Sequence, residues 1–167
     1  NNSKDMIIFS FEEDGFAHLF AYIPNQMPLT RITSGNWDNI APSPEPGGKR
    51  IAFASNRSGF WDLYLMDLST GEVTQLTNTP EYESGPTWSP DGESIAFTDW
   101  KDGPWKLAIV RVLSGEMPRI LRADGLANAS PHWSPRNDWI TWETGKGLLL
   151  VSPDGQRERM LTEEPLI

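Results

Sequence analysis

A recurring strand-turn-strand motif constrains the fold of this chain more than any other feature. Residues 86–99 read PTWSPDGESIAFTD, an apolar segment, a tight turn and a second apolar segment. A close copy, PHWSPRNDWITW, occupies residues 131–142, and a more divergent copy, APSPEPGGKRIAF, occupies residues 41–53. The copies are spaced by roughly 45 residues, which is typical of arrays in which each repeat is one supersecondary unit.

The turn within the motif has a clear chemical basis. Pro90 fixes φ, Asp91 can hydrogen-bond its own backbone, and Gly92 tolerates a positive φ. The 14 Gly, 14 Pro and 8 Trp among 167 residues suit short strands joined by tight turns. No window has a sustained apolar stripe at helical spacing, so long helices are not expected.

The strands of the repeats are almost continuously apolar, as in residues 51–54 (IAFA) and 148–151 (LLLV). Both faces of such a sheet must be covered, and sheets stacked radially cover each other. We therefore predict an all-β fold, a β-propeller of four four-stranded antiparallel blades in a single domain spanning residues 1–167. The predicted repeats are residues 1–35, 36–79, 80–124 and 125–167.

Closure of the ring is left open by the sequence. The first repeat lacks the strand that ought to precede Met6. Residues 165–167 could supply that strand and close a four-bladed ring. The alternatives are an open half that pairs with a second copy as a homodimer, or a fragment of a larger ring. The chain begins at Asn1 without Met, and we expect a processed protein or a domain of a longer one.

Several segments together carry a family resemblance. Residues 88–92 (WSPDG), 95–97 (IAF), 62–67 (DLYLMD) and 76–77 (LT) resemble the WD-like repeats of TolB-type β-propellers. The resemblance extends along essentially the whole chain, although Pro42 stands where Trp is expected. It implies a non-catalytic scaffold that binds a protein or peptide in a bacterial periplasmic or extracellular setting. Two alternatives that it also implies are the propeller of a peptidase and a carbohydrate-binding or lyase propeller.

Charge and motif content exclude several classes of function. The net charge of -9 disfavours nucleic acid and anionic membrane surfaces as partners. The absence of Cys excludes thiol catalysis and disulfides. No segment is long and apolar enough for membrane insertion. No phosphate loop, dinucleotide fingerprint, nucleophile elbow or metal-ligand spacing is present, so we expect no enzyme activity, cofactor or bound metal.

One face of the propeller is predicted to bind the ligand. Connections between the second and third strands of a blade, and between consecutive blades, lie on the same face and carry most aromatic and acidic residues. Exposed aromatic side chains beside polar groups mark binding faces. The predicted site residues are Trp37, Asp38, Phe60, Trp61, Tyr82, Glu83, Trp100, Trp105 and Asn128.

Plainer roles for these residues remain alternatives. The aromatic side chains could be lids packed over neighbouring blades, and loop carboxylates are usually solvated. Calcium could bind where Asp38, Glu83 and Asn128 converge, although no ligand-spacing motif supports such a site. Sugar lyases with this architecture use histidines and a metal, and His18 and His132 are the only histidines.

Overall fold

The regular structure of the protein is entirely antiparallel β. This computed structural model describes residues 6–127 and 129–162, apart from the side chain of Met27. Those two ranges contain no helix, and hence none long and apolar enough to cross a membrane. The strands are β1 (Ile7–Glu13), β2 (Phe16–Ile23), β3 (Met27–Arg31), β4 (Asn39–Pro44), β5 (Arg50–Ser55), β6 (Asp62–Asp67), β7 (Val73–Gln75), β8 (Tyr82–Trp88), β9 (Ser94–Trp100), β10 (Trp105–Arg111), β11 (Arg119–Gly125), β12 (His132–Trp133), β13 (Ile140–Thr144), β14 (Gly147–Val151) and β15 (Glu158–Met160).

The strands form three sheets of three, four and eight strands. The first repeat is the sheet β1-β2-β3, and the second repeat is the sheet β4-β5-β6-β7. The third repeat (β8 to β11) and the fourth repeat (β12 to β15) share the eight-stranded sheet. The all-β antiparallel fold predicted from the sequence is confirmed. The division into four separate four-stranded sheets differs, because the last two repeats are joined and the first has three strands.

The core lies between consecutive repeats, as radial packing requires. Leu19 of the first repeat packs against Ile51 and Phe53 of the second. A second cluster joins the second repeat to the third, and a third cluster joins the third to the fourth. The strands are apolar on both faces because each central sheet has a neighbour on either side.

The tryptophan of the motif links the third repeat to the second and the fourth repeat to the third. Trp88 is buried, and its indole Nε1 donates to the carbonyl oxygen of Ser43 at 2.9 Å. Trp133 is half-buried, and its Nε1 donates to the carbonyl oxygen of Thr87 at 3.1 Å. The same hydrogen bond therefore recurs one repeat later. Each of the two bonds joins residues about one repeat length apart, which explains why the tryptophan occurs at the repeat spacing.

A change in one repeated hydrogen bond explains the joined sheet. In three repeats, the backbone N–H of a leucine donates to the hydroxyl of a threonine fourteen positions later in the chain. That N–H therefore needs no backbone partner on the neighbouring strand. In the third repeat Leu107 instead pairs with Arg122, and β11 continues to Gly125. Gly125 then pairs with Thr144 of β13. The threonine bonds are Leu19–Thr33 at 2.8 Å, Leu63–Thr77 at 2.8 Å and Leu148–Thr162 at 2.9 Å.

Candidate functional site

Four aromatic side chains meet where the second repeat faces the third. Trp61 immediately precedes β6, Tyr82 begins β8, Trp100 ends β9 and Trp105 begins β10. The ring centroids of Trp61 and Tyr82 are 5.7 Å apart, those of Tyr82 and Trp105 are 5.8 Å apart, and those of Trp105 and Trp100 are 6.0 Å apart. We call these four residues the aromatic row. Their spacing and tilted or edge-on geometry lie within the range of favourable aromatic pairs.

A cleft of about 220 Å³ opens beside the aromatic row. Phe60 is 55% exposed and Trp100 is 39% exposed at this site, so large apolar surface faces solvent. Three charged residues stand at its rim, and Lys101 Nζ lies 4.0 Å from Glu81 Oε1. We call this feature the aromatic cleft; it is lined by Gly59, Phe60, Trp61, Pro80, Glu81, Tyr82, Trp100, Lys101 and Asp102.

A buried carboxyl supports the wall of the cleft. Glu83 is only 1% exposed, and its carboxyl accepts hydrogen bonds from the hydroxyls of Thr77 and Thr79, the latter at 2.8 Å. Its backbone N–H donates to the carbonyl oxygen of Trp61 at 2.9 Å. Glu83 thus fixes the loop before β8 against the loop before β6, which aligns Tyr82 with Trp61.

Burial raises the pKa of Glu83 from its ordinary value of 4.5 to about 7. Desolvation is the main cause, and the neighbouring carboxylates of Asp62 and Asp99 raise the pKa further. The two threonine hydroxyls act in the opposite direction. Asp99 lies directly opposite Glu83 in the β8–β9 pairing, and burial raises the pKa of Asp99 as well. A proton on Glu83 therefore relieves the repulsion between like charges at this point of the sheet.

Asp62 is a second buried carboxylate beneath the cleft. It accepts hydrogen bonds from the Ser58 hydroxyl at 2.6 Å, the Gln75 amide at 3.0 Å and the Thr79 N–H at 3.0 Å. Ser58 lies in the loop that carries Phe60, Gln75 ends β7, and Thr79 lies in the loop that leads to Tyr82. The loops are therefore held by charge-assisted hydrogen bonds rather than left mobile.

The remaining predicted site residues lie elsewhere. Asp38 accepts hydrogen bonds from the Ala17 N–H at 2.8 Å and the Asn56 amide at 3.1 Å, which joins the first repeat to the second. The ring of Trp37 lies over Gly35, where an added Cβ would come within 2.2 Å of it. Asn128 lies outside the residues that the structure describes. Among the predicted site residues, the structure thus brings together Phe60 and the aromatic row, with Glu83 buried behind them.

Arg57 has a role that the sequence did not suggest. Its guanidinium carbon lies 4.6 Å from the ring centroid of Tyr64, 5.4 Å from that of Phe53 and 5.5 Å from that of Trp37. It also donates to Asn39 Oδ1 at 2.7 Å. Burial lowers the pKa of Arg57, and cation–π contacts with three rings offset part of that desolvation. These rings come from separate segments, so no local pattern could have indicated the cluster.

His18 is buried beside another arginine. Its Nε2 lies 2.7 Å from Arg31 Nη2, an arrangement in which neutral His18 accepts the hydrogen bond. Burial and the positive charge of Arg31 both lower the pKa of His18. His132 is exposed on β12. The two histidines therefore occupy different environments in different repeats.

Of the three residues proposed for calcium, Asp38 and Glu83 already hydrogen-bond to other protein groups. Asp38 bonds the first two repeats, and Glu83 is buried beneath the cleft, as described above. Within residues 6–127 and 129–162, no group of three or more His, Cys, Asp or Glu is arranged to hold a metal ion. The part of the site that can be assigned is the aromatic cleft itself.

Comparison with known proteins identifies the family. The family model of the TolB beta propeller domain matches residues 2–165, almost the entire chain. The chain belongs to the TolB β-propeller family. This confirms the resemblance found in the repeats of the sequence. Comparison with curated proteins gives no match.

Solved structures of TolB share the fold. TolB from Acinetobacter baumannii is 25% identical with a TM-score of 0.77, and the match covers 92% of this chain and 39% of that one. A protein from Agrobacterium tumefaciens described as TolB is 23% identical with a TM-score of 0.81, covering 95% and 61% respectively. An oligogalacturonate lyase in complex with manganese is 14% identical with a TM-score of 0.77, covering 95% and 50%. This TolB-type chain therefore spans between two fifths and three fifths of the length of the TolB structures it matches.

Proposed function

We propose that this chain is a non-catalytic scaffold that binds a protein or peptide segment in the aromatic cleft. The single observation that supports this role most is the aromatic row, with Phe60 and Trp100 exposed beside it. Aromatic anchors in a well-formed recess contribute most of the affinity of a typical protein interface. Membership of the TolB family agrees with a protein-binding role.

The cleft is organised before any ligand arrives. The rings of the row contact each other, and Trp100 Nε1 donates to the carbonyl oxygen of Gly103 at 2.9 Å. Rings held in this way lose little conformational freedom on binding, which favours affinity. Glu81 and Asp102 outnumber Lys101 at the rim. A segment that carries an apolar or aromatic anchor and a Lys or Arg therefore suits the cleft better than an acidic one.

Three finer features belong to the same proposal. The four repeats would act as four blades, the third and fourth being linked by the Gly125–Thr144 pair. The WD-like repeats would serve only as a rigid support for the loops. The setting would be the bacterial periplasm or the extracellular space, as for the TolB proteins that the family is named after.

Binding of a peptide library tests the role of the cleft. Peptides selected against the chain by phage display should lose at least tenfold in affinity when Phe60→Ala and Trp100→Ala are introduced together. The matched control is Leu113→Ala, since Leu113 is 90% exposed on a hairpin turn remote from the cleft. Equal affinity for the double variant and the control would show that the cleft is not the binding site.

A carbohydrate assay separates the non-catalytic proposal from its main alternative. Aromatic faces also stack on sugar rings, and an oligogalacturonate lyase shares the fold. We expect no binding on a glycan array and no unsaturated product from oligogalacturonate with manganese present. Binding of sugars that depends on Trp100, or release of product, would instead support the lyase or carbohydrate-binding alternative.

A further inference from the structure

The aromatic cleft combines apolar walls with carboxylates that have no close cationic partner. It lies between the second and third repeats, away from both ends of the array. Glu81 Oε1 lies 4.0 Å from Lys101 Nζ, which is too long for a hydrogen bond. Within residues 6–127 and 129–162, Asp102 forms no ion pair. Both carboxylates therefore keep oxygen atoms that can accept hydrogen bonds from a ligand.

Negative charge also lies behind the cleft. The three donors to the Asp62 carboxylate are neutral groups of Ser58, Gln75 and Thr79. Two of these residues directly precede residues that line the cleft. The lining itself contains two carboxylates and a single lysine, and the chain as a whole has a net charge of -9. The electrostatic potential in the cleft therefore favours a cationic ligand.

The equivalent loop of the second repeat shows how this fold holds a guanidinium. Arg57 stands six residues before Leu63. Lys101 stands six residues before Leu107, the equivalent leucine of the third repeat. The guanidinium carbon of Arg57 lies 4.6 to 5.5 Å from the centroids of three aromatic rings. Ring faces and two neutral oxygen acceptors thus hold this cation inside the second repeat.

The third repeat uses its cation differently. The side chain of Lys101 is 50% exposed, and its ammonium lies near Glu81 at the rim. In the part of the chain that the structure describes, no cation–π contact involves Phe60 or the aromatic row. Glu81 stands 44 positions after Trp37, one of the rings around Arg57, so a carboxylate replaces an aromatic cover. Ring faces and carboxylate oxygens are therefore both accessible to a ligand in this cleft.

We infer that the aromatic cleft binds an arginine side chain of the partner segment. The guanidinium lies over the exposed rings of Phe60 and Trp100 and donates to the carboxylates of Glu81 and Asp102. This inference rests on the proposed binding role of the cleft. The cleft volume of about 220 Å³ is below the range of about 300 to 1,000 Å³ that is typical of pockets for drug-sized ligands, and it suits a single side chain.

Arginine fits the cleft better than lysine. A guanidinium is planar, carries five donors and is weakly hydrated, so it can contact a ring face and a carboxylate together. An ammonium is a compact, strongly hydrated charge and loses more hydration when it enters an apolar cleft. Every cation–π contact among the described residues is likewise made by an arginine, namely Arg50, Arg57 or Arg157.

Titration with Nα-acetyl-arginine methylamide tests the inference. The NMR signals of the Trp61 and Trp100 indole N–H groups should shift and reach saturation. The citrulline derivative replaces the guanidinium by a neutral ureido group of nearly the same shape. It should bind about tenfold more weakly, since it loses both the cation–π and the ionic contact. The lysine derivative should have an intermediate affinity.

Charge-neutralising variants identify the carboxylates that pair with the guanidinium. Glu81→Gln combined with Asp102→Asn should reduce the affinity for the arginine derivative to that for the citrulline derivative. Glu116→Gln is the matched control, because Glu116 is an exposed carboxylate on a hairpin turn remote from the cleft; it should leave the affinity unchanged. Melting temperatures should show that all variants fold, and Asp102→Asn alone, at an exposed position, should still weaken binding.

Several results would overturn the inference. Equal affinity for the arginine and citrulline derivatives would do so, and so would shifts confined to tryptophans outside the cleft. The peptides selected by phage display separate this failure from failure of the binding role. Peptides that need Phe60 and Trp100, but tolerate citrulline in place of every arginine, would exclude arginine and retain the binding role. Peptides that bind equally well without Phe60 and Trp100 would exclude both.

Discussion

Replacement of Glu83 by Gln should remove the contribution of this carboxyl to the pH dependence of stability between pH 4 and pH 8. The folded chain holds the proton on Glu83 up to about pH 7, whereas the unfolded chain releases it near its ordinary pKa of 4.5. In that interval the folded state binds more protons than the unfolded state, so the free energy of unfolding falls as pH rises. Gln at the same position does not titrate and still offers an oxygen to Thr77.

The size of the effect follows from the change in pKa. A rise from 4.5 to about 7, at 1.36 kcal/mol for each unit, corresponds to about 3 kcal/mol. The stability of the unaltered chain relative to Glu83→Gln should therefore decrease by that amount between pH 4 and pH 8. Asp99 also has a raised pKa and contributes to the slope in both proteins. The difference between the two proteins reports the proton on Glu83 together with its coupling to Asp99.

Urea unfolding followed by tryptophan fluorescence at pH 4, 5, 6, 7 and 8 measures this difference. Glu93→Gln provides the control, because Glu93 is exposed at the turn before β9. The control should follow the unaltered chain at every pH. A difference between Glu83→Gln and the unaltered chain that stays constant across the range would refute the assignment of the buried proton to Glu83.

Two further substitutions test the packing described above. Thr77→Val should destabilise the chain by about 2 to 4 kcal/mol, and by more than Thr33→Val does. Of these two threonines, only Thr77 has a hydroxyl that joins a buried carboxyl to a buried N–H. Denaturant unfolding of both variants measures the two losses of stability, and equal losses would contradict this explanation. Gly125→Ala should cost about 1 to 3 kcal/mol, since a Cβ there would come within 2.1 Å of the buried Trp142 ring. Gly47→Ala, whose Cβ would meet nothing closer than 3.8 Å, should be close to neutral; similar melting temperatures for the two would contradict the steric explanation.

Much of the fold could be predicted because its causes are local and repeated. The turn of the motif forms as expected. The carbonyl oxygen of Ser89 accepts the Gly92 N–H at 2.9 Å, and the Asp91 carboxylate accepts the Glu93 N–H at 3.0 Å. Each contact lies within a few positions along the chain and recurs with the repeat. A pattern of this kind indicates strands, turns and the spacing of blades without knowledge of the whole structure.

The joined sheet could not be predicted because its cause is a long-range pairing. Arg122 stands where other repeats have threonine, which is visible in the sequence. The extension of β11 and its pairing with β13, however, depend on the position of the fourth repeat, which the sequence does not show. Likewise, Glu83 looked like an exposed loop carboxylate, and only the fold shows that two threonines and two aspartates surround it.

By itself the sequence determined the repeat, its turns and the apolar pattern that each blade must bury, because those properties depend on residues close together in the chain. The tertiary structure decided which predicted aromatic residues meet. It brought Trp61 and Tyr82 together across two blades and held Trp37 away from them, over Gly35. Which loops touch depends on how one sheet is rotated against the next, and that rotation is set by packing over the entire interface.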